Sequence, residues 1–216
     1  MNEYLPELAG RLLDGFTVTL RLLGWSMLLS TVIGTVLAVM RVSPIPPLRA
    51  VGTSYVNIFR NTPLVVIFLL AVEGLPTIGV KIPFEWLAIV SLSLYTASFV
   101  CEAVRSGINT VDPGQAEASR SIGMTTGQTL ATVVLPQAFR SVIPPLVSVY
   151  IALTKNTAIA AAFGVTEATG QLSNLIRDFA PQLYVSFFAI AAGYIIIVWV
   201  LAGIAAVLER RWVVTR

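Results

Sequence analysis

Asp112-Pro113-Gly114-Gln115-Ala116-Glu117-Ala118-Ser119-Arg120-Ser121-Ile122-Gly123-Met124 is a short polar stretch with a boundary signal at each end. Asp112 has the side chain of an N-cap, whose oxygen accepts from the first free amides of a helix. Pro113 has the fixed φ that suits the first helical position. Gly123 fits the left-handed position that closes a helix. One helix of about ten residues is therefore bounded on both sides. Thr125 and Gln128 then have the spacing of a capping box, which starts another helix at once. A disordered linker has no need of such caps, so this is a rigid element.

What it connects is apolar. The chain of 216 residues is 56% hydrophobic and only 12% charged, about half the charge fraction of a soluble domain. Lipid is the expected solvent, and a span needs roughly 20 apolar residues. Span one covers about residues 16–40, and span three about 86–105. A polar stretch at 106–128 follows, with the capped helix at about 113–123 inside it. Span four contains Pro136, Pro144 and Pro145, and span five covers about 184–207, ending at Glu209-Arg210-Arg211. Span two lies between 51 and 80, interrupted by Arg60-Asn61-Thr62-Pro63. Either Arg60 is inside it, or it starts near Thr62 and is tilted. The expected fold is an all-α polytopic membrane protein with about five transmembrane helices. It forms one domain over 1–216, with a core at about 16–211.

The N-terminus lacks the cationic region of a signal peptide, having Glu3, Glu7 and Asp14 against Arg11 alone. Leu5, Leu8, Ala9, Leu12, Leu13 and Phe16 recur at helical spacing, which predicts a short interfacial helix feeding span one. Arg41 and Arg49 bracket a Pro-rich turn over Ser43-Pro44-Ile45-Pro46-Pro47. With that turn, the 105–128 stretch and the C-terminus inside, Arg41, Arg49, Arg105, Arg120, Arg210, Arg211 and Arg216 are cytoplasmic. Arg11, Lys81 and Arg177 are outside. Seven against three follows the positive-inside rule and requires an odd number of spans.

Several chemistries are excluded. There is no histidine and one cysteine, Cys101. His triads, a disulfide and multi-thiolate metal sites cannot form, so no catalytic or metal site is expected. Lys81 and Lys155 follow Val80 and Thr154, so there is no Gly-Lys phosphate-binding loop. Any ATP is handled by another chain, and the chain itself is expected to be neither an enzyme nor a cofactor protein.

Gln115-Ala116-Glu117-Ala118-Ser119, then Gly123 and Leu135-Pro136, resembles the coupling-loop signature of binding-protein-dependent ABC permeases. The family pattern has a second Ala where this chain has Ser119. The segments Phe59-Arg60-Asn61-Thr62-Pro63-Leu64-Val65, Glu102-Ala103-Val104-Arg105-Ser106-Gly107-Ile108, Leu135-Pro136-Gln137-Ala138 and Leu153-Thr154-Lys155-Asn156-Thr157 resemble the polar amino-acid branch, which includes histidine, glutamine and glutamate permeases. The resemblance runs from about 15 to 211. It implies a type I ABC importer permease in a prokaryotic plasma (inner) membrane, with its N-terminus outside and C-terminus inside. It implies a second permease subunit, a copy or a paralogue, a cytoplasmic ATPase dimer that binds ATP, and an extracytoplasmic amino-acid-binding protein. Gln115, Glu117, Ala118, Ser119 and Gly123 would form the ATPase-coupling element. A passive channel or ion-coupled carrier is the alternative, but neither needs a capped docking helix.

For the substrate pathway, Ser91, Tyr95, Ser98, Glu102 and Arg105 lie on one face of span three. That face either lines a cavity or packs against protein, with Glu102 paired to Arg105. Glu102 stands near a helix C-terminus, where the dipole disfavours an anion, so something must compensate it. Thr154, Lys155, Asn156 and Thr157 exceed one helical turn and point polar groups in every direction. Lys155 either snorkels to the outer headgroups or faces a cavity opposite a carboxylate of substrate or of Glu102, with Ser98 and Thr157 as hydrogen-bonding candidates. The favoured substrate is a polar amino acid such as glutamate or glutamine. Cys101 is expected to be a buried hydrophobe, and Gly24, Gly34, Gly193 and Gly203 close-packing positions.

Overall fold

The computed structural model describes residues 3–212; Arg216, one of the cations counted as cytoplasmic above, lies outside them. The elements are α1 (Tyr4–Val42), α2 (Pro46–Asn61), α3 (Leu64–Leu69), a short α4 (Leu75–Thr77), α5 (Phe84–Asn109), α6 (Pro113–Ser121), α7 (Thr126–Thr129), α8 (Leu135–Asn156), α9 (Ala168–Asp178) and α10 (Leu183–Trp212). Among the described residues, four helical stretches are long and apolar enough to cross a membrane. The bent pair of α2 with Leu64–Thr77 passes the same test only when taken together, which gives four spans, or five with the pair counted as one. The expected all-α bundle of about five spans is the observed one.

Two expectations are corrected. The N-terminal helix is not separate from span one: α1 is a single helix of 39 residues. At 1.5 Å per residue it is about 58 Å long, far beyond a hydrocarbon core of about 30 Å. Gly15, at the junction of the expected interfacial stretch and the span, does not stop the helix; it lies where α9 packs closely against α1. Its excess packs against α9, where Tyr4, Leu8 and Leu175 form a cluster. Span two does not begin near 51 or 62. It begins at Pro46, in the Pro-rich stretch expected to be a turn, and breaks at Thr62-Pro63 with a bend of 101°. Pro63 removes a donor and bars the preceding residue from helix, so the axis must turn there. Thr62 closes α2, its amide and its hydroxyl both donating to the Ile58 carbonyl at 3.1 and 2.8 Å.

π-helical turns occur at Leu70–Gly74 and Leu130–Val134, each directly before a Leu-Pro pair, Leu75-Pro76 and Leu135-Pro136. A widened turn gives the proline ring room that a regular α turn denies it. Span four thus runs as α7, the π turn and α8, then tightens into a 3₁₀ segment at Thr157–Phe163.

In lipid there is little hydrophobic drive between helices, so close contact and polar bonds hold the bundle. The main seam joins α1 to α5, through Leu37, Ala38, Ala97 and Cys101 at one level, where Val56 of α2 packs in as well. At another level Leu22, Leu23, Leu64, Phe68, Ile89, Leu92 and Leu153 meet. Gly34 and Gly193 do lie at close approaches, against Val100 and the Phe16 ring, whereas Gly24 and Gly203 face open space. Cys101 is fully buried. Only 11% of the most apolar window of α10 is buried, which leaves that helix to lipid or to another subunit.

Candidate functional site

α6 forms as its caps dictate. The Asp112 side chain accepts from the Gly114 amide at 2.8 Å, and Pro113 occupies the first turn. Gly123 follows the end of the helix with φ of +90°, the left-handed region that favours glycine. The capping box at Thr125 and Gln128 is complete, with Thr125 N donating to Gln128 Oε1 at 2.9 Å and Gln128 N to Thr125 Oγ1 at 3.3 Å. Gln115, Glu117 and Ala118 are exposed. Ser119 is the one buried residue of α6 and faces inward, onto buried Thr129 of α7. Beside the helix end, Ile122 is 80% exposed, an apolar side chain offered to solvent. The helix is thus stiff, fastened on one side and free on the other.

The substrate-pathway candidates are not brought together. Glu102 lies between three guanidinium groups: Arg41 of α1 in a short charge-assisted bond, Arg60 of α2 at 3.3 Å and Arg105 at 3.2 Å. This compensates the carboxylate near its helix end, and it satisfies Glu102 with arginines, not with Lys155. The expected pairing with Arg105 is present, and the two further partners come from other helices. Ser98 is fully buried and donates to the Tyr95 carbonyl at 2.6 Å, and Thr157 does the same to the Thr154 carbonyl at 2.7 Å. Of the polar face of α5, Ser91 and Ser98 are therefore packed, while Tyr95 and Glu102 keep partial access.

Two grooves flank α8. One of about 390 Å³ is lined by Tyr95, Thr96 and Phe99 of α5 and by Ser148, Leu153 and Asn156 of α8. Lys155 lines the other, of about 300 Å³, with Ala158, Thr169, Phe187 and Tyr194. Adjacent residues of one helix point about 100° apart, so Lys155 and Asn156 serve different grooves. A third groove of about 650 Å³ between α1, α5 and α8 is apolar apart from Thr31, Thr35 and Arg140.

The sequence reading missed Glu167. It is fully buried and precedes α9. Its Oε1 accepts the Thr169 and Gly170 amides at 2.8 and 3.0 Å. Its Oε2 accepts Tyr194 of α10 at 2.6 Å and lies 3.2 Å from Thr19 Oγ1 of α1. A buried carboxyl group is tolerated where both its oxygens have hydrogen-bond partners, as they have here. The backbones of α1 and α9 come so close here that a Cβ on Gly15 would stand 2.9 Å from Ala168 Cα. The only sequence signal was an acid standing where an N-cap would be.

With this geometry in view, comparison with known proteins gives the class. The model of the binding-protein-dependent transport system inner membrane component matches residues 30–214, and the chain belongs to that family. It is 41% identical to the glutamate transport system permease protein GluC of Corynebacterium glutamicum over 210 residues, 91% of this chain and 92% of the relative. It is 33% identical to the glutamate/aspartate import permease protein GltJ of Escherichia coli over 215 residues, 94% of this chain and 87% of the relative. Among solved structures, it aligns with one described as an amino acid ABC transporter with histidines at a TM-score of 0.87. That alignment has 32% identity and covers 98% of this chain and 96% of that one. The methionine ABC transporter MetNI shares the fold at a TM-score of 0.75 and 22% identity, over 94% and 96% of the two chains. The molecule is a multi-pass ABC permease of the type I importer fold.

Proposed function

We propose that this chain is the membrane subunit of an ATP-driven importer for a polar amino acid, with glutamate or glutamine favoured. The observation that carries the reading is α6: a helix capped at both ends, fastened through Ser119, with Gln115, Glu117 and Ala118 exposed. The permeases it resembles, GluC and GltJ, support the substrate class. In this reading α6 and the C-terminus are cytoplasmic, the N-terminus is outside, and the membrane is a prokaryotic plasma membrane. A cytoplasmic ATPase dimer binds and hydrolyses ATP, and each of its subunits receives one α6 in a groove. A second permease, a copy or a paralogue, completes the pathway, and an extracytoplasmic binding protein delivers the amino acid.

The physical logic is that of a lever. Closure of the ATPase dimer moves the docked helices, and a stiff α6 passes that displacement on without absorbing it. It reaches α8 through the Ser119–Thr129 contact and the continuous run of α7, the π turn and α8. Reconstitution tests this. Proteoliposomes holding the permease, its ATPase and its binding protein should accumulate glutamate or glutamine only with ATP. Accumulation by the permease alone would overturn the reading.

A further inference from the structure

Arg60 closes the last turn of α2, directly before the break in span two. Its Nη1 lies 3.3 Å from Glu102 Oε1, its Cζ lies 5.5 Å from the Phe99 ring centroid, and 44% of its side chain is exposed. Its Nε and Nη2 have no partner among the described residues. Phe99, the ring beneath it, also lines the groove shared by α5 and α8. In the same groove, the Tyr95 hydroxyl and the Asn156 side-chain amide make no hydrogen bond among the described residues.

Phe99 links these groups: its ring lies under Arg60 and lines the groove that holds Tyr95 and Asn156. One edge of an ion-paired guanidinium and two polar side chains without partners, grouped about one ring of a membrane protein, mark a place that something polar enters. Stacking on Phe99 and the ion pair to Glu102 hold the guanidinium plane, so its free edge is preorganised for a planar carboxylate. The local charge sets the sign of the guest. Three guanidinium groups surround one carboxylate, which leaves a positive surplus.

We propose that Arg60, Phe99, Tyr95 and Asn156 form the amino-acid subsite of the permease. Arg60 takes a carboxylate of the substrate, and the Tyr95 and Asn156 oxygens accept from its ammonium group. The surplus charge favours acidic or zwitterionic amino acids and disfavours cationic ones. This rests on the importer reading above and replaces Lys155, which opens on the other groove, as the carboxylate-binding cation.

The test is uptake of radiolabelled glutamate, with glutamine and arginine as comparison probes. It is done in proteoliposomes holding the permease with its ATPase and binding protein. Arg60→Met should lower glutamate uptake at least tenfold. Arg60→Lys, which keeps the charge but not the planar fork, should recover part of it. Tyr95→Phe should lower uptake several-fold. Assembly with the ATPase, followed by gel filtration, separates loss of function from loss of fold, and if Arg60→Met does not assemble, Arg60→Lys and Tyr95→Phe decide. Wild-type uptake in the assembled Arg60 variants and in Tyr95→Phe would overturn the subsite. So would loss of uptake in Lys155→Met with Arg60→Met unimpaired, or arginine uptake by the wild type exceeding that of glutamate. A wild-type system that moves no amino acid at all would instead sink the importer reading.

Discussion

The hydroxyl of Ser119 stands 3.1 Å from Thr129 Oγ1, both buried, and joins α6 to α7. It also stands 3.0 Å from the Ala116 carbonyl oxygen, so its single proton is shared between an in-helix and a cross-helix acceptor. The one buried residue of α6 is thus the one that fastens the helix from behind.

Ser119→Ala should therefore weaken the lever without removing its docking face. The expected cost is about 1 kcal/mol, the net worth of one hydrogen bond. Amide exchange in α6 should quicken, and transport should continue at a reduced rate. A double-mutant cycle with Thr129→Val should return a coupling energy of about 1 kcal/mol. Strict additivity would mean that the two hydroxyls do not act on each other.

Gly123→Val should uncouple the transporter while leaving it assembled. No atom lies within 4 Å of a Cβ placed there, so the penalty comes from φ of +90° alone. A β-branched residue in that region costs at least about 1 kcal/mol, and the end of α6 will shift to relieve it. Substrate-stimulated ATP hydrolysis in the reconstituted complex is the readout. An undiminished rate would remove Gly123 from coupling.

Glu167→Ala should be the most destabilising single change where α1, α9 and α10 meet. It leaves the Thr169 and Gly170 amides without their acceptor, while Thr19 keeps the Gly15 carbonyl at 3.1 Å and Tyr194 the Thr169 hydroxyl at 3.3 Å. At about 1–3 kcal/mol for each buried orphan, a total of about 3 kcal/mol or more is expected. Glu167→Gln keeps one acceptor oxygen and should lose less. Thermal unfolding in detergent ranks the three proteins, and equal midpoints for Ala and wild type would contradict the account.

Acidification should loosen α9 from α1. The hydrogen bond from Arg11 holds the Asp178 carboxyl below the usual carboxylate range, and the two are 2.8 Å apart. A carboxylate with a depressed folded pKa contributes stability that is present above its unfolded pKa and lost as pH falls through the folded one. The window is therefore below about pH 4. Hydrogen exchange at the C-terminal turn of α9 should rise there in the wild type. In Asp178→Asn it should already be raised at neutral pH, with no further acid step.

Much of this molecule was legible because the information is local. The caps of α6 and α7 need only residues two or three apart, so Asp112, Gly123, Thr125 and Gln128 could be read directly. The spans were legible because lipid imposes a length and composition on any helix that crosses it. The same locality misled at the termini of elements. A Pro-rich turn at 43–47 turned out to hold the first turn of α2, since proline is as much at home in a first helical turn as in a loop.

Lys155 and Glu102 looked complementary in sequence, as the main intramembrane cation and anion. Which charges meet, however, depends on how helices cross. Arg41 and Arg60 reach Glu102 from 61 and 42 residues away, and Tyr194 reaches Glu167 from 27. Helical periodicity places a side chain on a face and says nothing of what that face meets. By itself the sequence determined an all-helical membrane bundle with a rigid capped helix between two spans, because hydropathy and capping act within a turn or a span. Only the tertiary structure decided that Glu102 belongs to three arginines, that Glu167 ties α1, α9 and α10 together, and that Lys155 and Asn156 open on different grooves. Those outcomes come from close backbone approaches and from the break at Pro63, which bring together residues far apart in the chain.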